Sequence, residues 1–449
     1  MKNTRQIDMV QGPIFRKLIF FSIPVILSGI LQLLFNAADV IVVGRFSGSE
    51  ALAAVGSTSS LINLLINLFL GISIGANVLV GQYIGARDIE NCQKTVHTGI
   101  LFALFGGLAM GIFGFLMAPV LLTWMATPPN VLPLSTTYMQ IYFIGLPALL
   151  VYDFGAALLR AIGDTKRPLY FLLISGIINV CLNLFFVLGF NMGVAGVAIA
   201  TIISEFISAL LVLICLHNTE GPIQFQKKNL HFSLEKGIKM VKIGVPAGVQ
   251  GMLFSISNVL IQSSVNGFGS TVMAGNTASL NIENFVYISM NAIYQTALSF
   301  TSQNMGAKQY KRIDKILFEC LCLVVIVGLV LGWGAYLGGD WLLHIYSGEP
   351  EVIKIGLIRL SIICTTYFTC GIMDVLVGSL RGMGYSILPM FVSMMGVCAF
   401  RVLWIFTIFQ MHKELFVLYI SYPISWILTI AVDVVCYVMI RKHLARKNG

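Results

Sequence analysis

The sequence predicts an all-α integral membrane protein, with twelve transmembrane helices in two pseudo-symmetric six-helix lobes around a central cavity. Three observations carry that prediction: an apolar composition, twelve apolar runs of spanning length, and an internal repeat offset by about 221 residues. Of 449 residues, 57% are hydrophobic and only 10% are charged, and the mean hydropathy is +0.88. A soluble domain carries about 25% charged residues because a water-facing surface needs them. Lipid hydrates no backbone, so spanning segments are helices or closed barrels. Runs of twenty or more apolar residues select helices over ten-residue alternating strands.

The twelve segments run roughly 15–44, 52–82, 95–122, 133–159, 168–189, 194–217, 239–267, 273–303, 313–338, 354–380, 388–410 and 415–440. Several exceed the spanning minimum, which implies tilt, kinks or protrusion. Pro24 and Pro246 each remove a helical hydrogen bond and favour a kink. The first run is too long for the apolar stretch of a signal peptide. An even number of spans puts both termini on one side, and Lys and Arg choose it. With the termini in the cytoplasm, cytoplasmic segments hold 23 of the 28 basic residues, against Arg45, Lys354 and Lys413 opposite. This bias predicts cytoplasmic termini. It also accounts for the net charge of +9 without a nucleic-acid partner, since the basic residues are scattered over short loops. Of nine cysteines, eight lie in apolar runs and no CxxC pair occurs, so they read as small core residues.

Gln82-Tyr-Ile-Gly85-Ala86-Arg87 matches Gln303-Asn-Met-Gly306-Ala307-Lys308. Asp153, Arg160 and Gly163 match Asp374, Arg381 and Gly384, and Pro168 matches Pro389. At offset 222, Pro24 matches Pro246. Six spans per half make a parallel repeat, the pattern of transporters whose two halves give alternating access. The lobes are expected at 1–218 and 239–449, with a cytoplasmic linker at 219–238. No HExxH, GxSxG or Walker A motif occurs, so the chain is read as a non-enzyme without cofactors.

Charges inside spans are costly and mark function by default. Asp39 lies within predicted helix 1, three residues after Asn36 and on the same face. Its repeat mate is Ile261, so the fold does not demand an acid there. The competing reading is a helix-end acid at the outer interface. Asn179 and Asn183 form an i,i+4 pair in helix 5, and Thr201 follows in helix 6. Their mates are Phe400, Trp404 and Tyr422. The first half thus carries a polar set that the second half replaces by aromatics. Inter-helix hydrogen bonding alone explains such asparagines at about 0.6 kcal/mol each; with acids nearby, a cation or proton site is favoured. Asp153 and Asp374 each precede an Arg by seven residues, about two turns, and Arg160 and Arg381 are expected to snorkel to the interface. Glu205 (mate Trp426), Glu283 and the polar stripe containing Asn63 are further cavity candidates. Glu319 and Asp433 read as interfacial. Arg401, in mid-span, requires an acid, with Asp374 or Glu283 as partner.

Taken together, Pro24, Asp39 and Gly44 in helix 1, the Gln-x2-Gly-Ala motifs at Gln82 and Gln303, and the Arg160…Pro168 and Arg381…Pro389 motifs resemble the multidrug and toxin extrusion (MATE) family over essentially the whole chain. The resemblance implies a secondary active multidrug efflux transporter that exports small organic cations or drugs by antiport with H+ or Na+. It implies a first-lobe cation-coupling site at Asp39, Asp153, Asn179, Asn183 and Thr201, with Na+ a possible ligand of Asp39, Asn179, Asn183 and Thr201. This chain reverses a family arrangement, carrying its second acid on helix 4 (Asp153) and an Asn on helix 5 (Asn183). Other members build a second-lobe site from a helix 7 Glu and a helix 10 Asp. Asp374 fits the latter, helix 7 offers only Gln250 and Gln262, and Glu283 would have to substitute. Asn36, Asn63, Glu205, Gln250, Glu283 and Asp374 are therefore the substrate-binding or second-lobe candidates. A plasma-membrane protein functioning as a monomer is expected. The alternative is a lipid-linked saccharide flippase, disfavoured because the candidate residues are mostly acidic rather than basic.

Overall fold

The computed structural model describes residues 6–226 and 230–448, the last two by backbone only. Lys2, Arg5, Lys227 and Lys228 of the charge count, and the side chain of Lys447, lie outside the described residues. Among the described residues twelve long helices follow one another: α1 (Ile14–Phe46), α2 (Ser49–Gly85), α3 (Ile89–Trp124), α4 (Leu132–Ala161), α5 (Lys166–Gly189), α6 (Gly193–Asn218), α7 (Leu234–Asn266), α8 (Ser270–Gly306), α9 (Tyr310–Leu337), α10 (Pro350–Gly382), α11 (Ile387–Met411) and α12 (Leu415–Asn448). No strand occurs among the described residues. Each predicted span falls on one of these helices, and a six-residue helix, Gly339–His344, adds a turn before α10.

Eleven of the twelve are long and apolar enough to cross a membrane. The exception is α8, which at 37 residues has the length but not the composition. Many of its polar residues turn inward: Asn276, Ser279, Glu283, Ser289 and Thr296 are buried, whereas Thr277, Asn281 and Asn284 are exposed, and Ser279 Oγ donates to the Gly356 carbonyl of α10 at 3.0 Å. A protein-facing stripe of this kind lowers hydropathy without exposing polar groups to lipid.

The repeat is written into the backbone. Gly48, Arg87 and Gly163 have φ of 89°, 57° and 86°, and their counterparts Gly269, Lys308 and Gly384 have 99°, 57° and 94°. The left-handed region is costly for residues with a Cβ, so its recurrence at one offset means that both halves turn their helix corners alike. The repeated Gln-x2-Gly-Ala-Arg/Lys motif is the corner that ends α2 and α8. At the first corner Asp88 caps α3, accepting from the Asn91 side chain at 2.6 Å and its backbone N–H at 3.1 Å. These bonds hold the Asp88 carboxyl below the usual range.

The chain forms two compact units that divide it at other points than the predicted lobe limits. One is built on Leu27–Gly248, with the lead-in through Asp8. The other holds Met9–Ile26 and the chain from Val249 onward. The beginning of α7 therefore belongs to the first unit. Gly244 and Gly248 pack directly on α2, and a Cβ at Gly248 would stand 2.7 Å from Leu68 Cα. Small residues four apart let helix backbones approach closely in a membrane, where no hydrophobic effect drives the helices together. In the second unit, the beginning of α1 meets α8, with Ser22 Oγ and Thr296 Oγ1 hydrogen-bonded at 2.8 Å.

Candidate functional site

In the first unit, α1, α5 and α6 bring four predicted residues together. Gly176, Asn179 and Asn183 recur at helical spacing on one face of α5. A Cβ at Gly176 would fall inside the Phe35 ring of α1, so glycine is what lets α1 lie against that face. One turn beyond Phe35 on α1 is Asp39. Its Oδ1 accepts a hydrogen bond from Asn183 Nδ2, and the same amide donates to Asn179 Oδ1 at 3.2 Å. Asn179 Nδ2 reaches Thr201 Oγ1 at 3.4 Å, and Thr201 donates to the Val197 carbonyl at 3.0 Å. Asn179 and Asn183 are buried, and Asn183 Oδ1 has no protein partner. One carboxylate, two amide oxygens and a hydroxyl form a hard-oxygen set that suits a proton or a small alkali cation.

Asp153 forms no hydrogen bond with this group. The register of α4 on α6 explains why. A Cβ at Gly145 would stand 2.8 Å from Ile202 Cγ1, and one at Gly155 would stand 2.6 Å from Val212 Cγ2. The helices therefore run parallel with a constant offset of 57 residues, which puts Asp153 level with residue 210 of α6. Between that level and Thr201 lies Glu205. At a rise of 1.5 Å per residue it stands about 6 Å along α6 from Thr201 and about 7 Å short of the Asp153 level. Glu205 is accordingly an electrostatic neighbour of both Asp39 and Asp153, and Tyr142 of α4 is a neighbour of all three. The acids form a descending series, with Glu205 between the two that the sequence reading paired. Asn36 and Asn63 are exposed and take no part in it.

Charge compensation is unequal in this series. The groups that hydrogen-bond Asp39 are neutral, and among the described residues no cation neighbours it. Asp153 has Arg160 as its neighbouring cation, and Glu205 has only the two acids. Three carboxyls in a membrane-spanning unit thus face one guanidinium.

The second unit departs from several expectations. Glu283 does not neighbour Asp374. It is buried in a bidentate ion pair with Arg359 of α10, at 2.7 and 2.8 Å, and Arg359 also donates to Asn276 Oδ1 at 2.8 Å. A carboxylate held by a fork of this kind is a structural partner rather than a free acid. Arg381 does not snorkel. It is 5% exposed and donates to Tyr294 Oη at 2.8 Å and to Gln250 Oε1 at 2.7 Å. This also assigns Gln250 its contact. Arg401 finds no acid. Its guanidinium carbon lies 4.1 Å from the Tyr422 ring centroid and 5.6 Å from that of Trp426, and Nε donates to Ser425 Oγ at 3.0 Å. Aromatic faces supply what a carboxylate was expected to supply. Asp433 is fully buried rather than interfacial, and it lies near Asp374 and Arg381. Among the cysteines, Cys181 is exposed on α5 rather than in a core. Sequence reading missed Arg359 as the partner of Glu283. The signal was there, since both are charges placed mid-helix and each needs the other.

The MatE family model matches residues 24–185 and 246–407, one copy per half of the repeat. The probable multidrug resistance protein YoeA of Bacillus subtilis (strain 168) is 28% identical over 92% of this chain and 91% of its own length. A FAD transporter of Shewanella oneidensis is 24% identical over 77% of each chain. A solved structure described as the outward-facing conformation of a multidrug resistance MATE family transporter of the MOP superfamily superposes with a TM-score of 0.92. It covers 99% of this chain and 100% of its own, at 18% identity.

Proposed function

This chain belongs to the MatE family of multi-pass membrane transporters, and from that premise we propose that it exports organic cations by antiport with H+ or Na+ at Asp39. The observation that carries the reading is the uncompensated charge of the first unit. Burying a carboxylate without a partner is expensive. Asp39 is held by neutral groups, so a mobile cation is the natural counter-charge. Two close carboxyls also share protons more readily than they ionise together.

The geometry suggests how the ion is held. Asn183 donates to Oδ1 of Asp39, which favours the ionised carboxylate and leaves Oδ2 to receive a proton. For Na+, the unbonded Asn183 Oδ1 would join Asp39, Asn179 Oδ1 and Thr201 Oγ1 as ligands. Glu205 then provides a step between Asp39 and Asp153. Neutralising Asp39 removes one of the first unit's negative charges and loosens its hold on an organic cation, while Glu205 and Asp153 remain as counter-charges. The reading places the protein in the plasma membrane with cytoplasmic termini, functioning as a monomer by alternating access. Its charge pattern supports cationic cargo. A relative named as a FAD transporter makes an anionic dinucleotide the second substrate class to test.

The test is reconstitution into liposomes, first with a pH gradient and no sodium, then with a sodium gradient. Uptake of a fluorescent organic cation is compared with uptake of FAD. Gradient-driven cation uptake supports the reading, and the effective gradient names the ion. FAD transport without cation transport overturns the substrate class. Silence toward both, under either gradient, favours a lipid-linked saccharide.

A further inference from the structure

Asp433 lies on the inward stripe of α12, with Trp426, Thr429 and Tyr437, while Val432, Val434 and Val435 beside it are exposed. Its side chain is 0% exposed, and neither carboxylate oxygen has a protein hydrogen-bond partner. Of the other buried side-chain atoms that share this condition, three belong to this layer: Asp374 Oδ2, Arg381 Nε and Ser393 Oγ. Asp374 and Arg381 are the charged neighbours of Asp433. Ser393 belongs to the same layer by register. Gly396 of α11 packs on Thr429, with a Cβ there 3.3 Å from Thr429 Cβ, and Arg401 reaches back to Ser425. The two helices therefore run antiparallel, and Ser393 falls level with Asp433.

Orphaned buried polar atoms are rare, and each needs an explanation. Here they gather in one place, and the charge there does not balance: two carboxyls stand beside one guanidinium. We propose that Asp433 and Asp374 form a proton-binding site in the second unit, the pair holding one proton against the single charge of Arg381. With one carboxyl protonated the cluster is neutral. With both ionised it carries a net negative charge in a membrane interior, and with neither ionised Arg381 is unpaired.

The surrounding groups leave that balance intact. On α12 itself, Cys436 is the near titratable group. Tyr437 and Arg441 are committed to Asp314 of α9 at 2.8 and 2.7 Å. On α11, Arg401 donates to Ser425 and lies on the faces of Tyr422 and Trp426, with its Nη2 left without a protein partner. Gln250 and Tyr294 hold Arg381 from α7 and α8. A proton fits better than a metal cation, because the guanidinium repels a second cation but not a neutral carboxylic acid. The site pairs Asp374 with an acid of α12, not with Glu283. It does not depend on which substrate the protein carries.

Infrared spectroscopy of the purified protein in H2O and D2O near neutral pH tests this. The difference between wild type and each variant isolates the C=O stretch of a protonated carboxylic acid. Asp433→Asn and Asp374→Asn should each lose one such band, and either variant suffices if the other does not purify as a monodisperse protein. Arg381→Gln should gain one, because without its charge both carboxyls hold protons. Asp39→Asn should leave this band unchanged. A band that survives in Asp433→Asn, or no gain in Arg381→Gln, overturns the proposal. So does loss of the wild-type band on adding sodium, which would make the site a cation site.

Discussion

Three helices meet in each half of the repeat, α1, α5 and α6 in the first unit and α7, α11 and α12 in the second. The first junction holds Asp39, Asn179, Asn183 and Thr201 in one chain of hydrogen bonds. At the second, the repeat mates are Ile261, Phe400, Trp404 and Tyr422. Ile261 and Tyr422 sit in a buried cluster with Trp426 and Tyr419, and Trp404 packs against it. The backbone corners of the halves are alike, so the fold tolerates either filling. The polar filling of the first unit is therefore not a requirement of architecture, and it is there that function is to be sought. The charges at the second junction are guanidiniums, Arg401 and Arg359 on the Tyr419, Tyr422 and Trp426 rings, and the second unit keeps its acids elsewhere, at Glu283 and around Arg381.

The comparison can be broken most severely by placing an acid in the wrong unit. Ile261→Asp puts a carboxylate into a fully packed cluster of aliphatic and aromatic side chains. A loss of several kcal/mol is expected, seen as failure to recover folded protein in detergent. Normal recovery would mean that the second junction is wet, and the contrast between the units would fail. Next in size is Glu283→Ala, which strands the buried Arg359. Breaking one side of a buried pair costs about 3–5 kcal/mol, read as a large drop in thermal stability. If Glu283 were instead a transport acid, stability would hold and transport alone would fall.

Gly176→Ala sharpens the account of the first junction. The new Cβ must push α1 off α5, at a cost of about 1–3 kcal/mol for overpacking. Coupling should weaken more than stability does, because the displaced face carries Asp39. Smallest is Asn179→Ala, which removes the two long hydrogen bonds to Asn183 and Thr201 and should cost about 1–2 kcal/mol. It should appear as a severalfold loss of apparent ion affinity with folding unchanged.

Much of this was legible in the sequence. Spans and repeat could be read because each depends on period or offset, which the chain displays directly, whereas the grouping of Asp39 with Asn179, Asn183 and Thr201 came from the family resemblance, which also added Asp153. Which charge meets which could not, because that depends on helix rotation and depth. Asp433 looked interfacial from its distance to the chain end, yet α12 runs on to Asn448 and its rotation buries the carboxyl. Arg401 looked as though it needed an acid because its contact with the Tyr422 and Trp426 rings forms only when α12 folds against α11. Glu205 looked like one acid among several until the parallel register of α4 and α6 set it between Asp39 and Asp153.

The most direct test of the central claim is to separate coupling from substrate binding in Asp39→Asn. In proteoliposomes the variant should exchange labelled for unlabelled organic cation with no gradient, while uptake driven by a pH or sodium gradient is abolished. Gradient-driven uptake at the wild-type rate would contradict the assignment of coupling to the first unit.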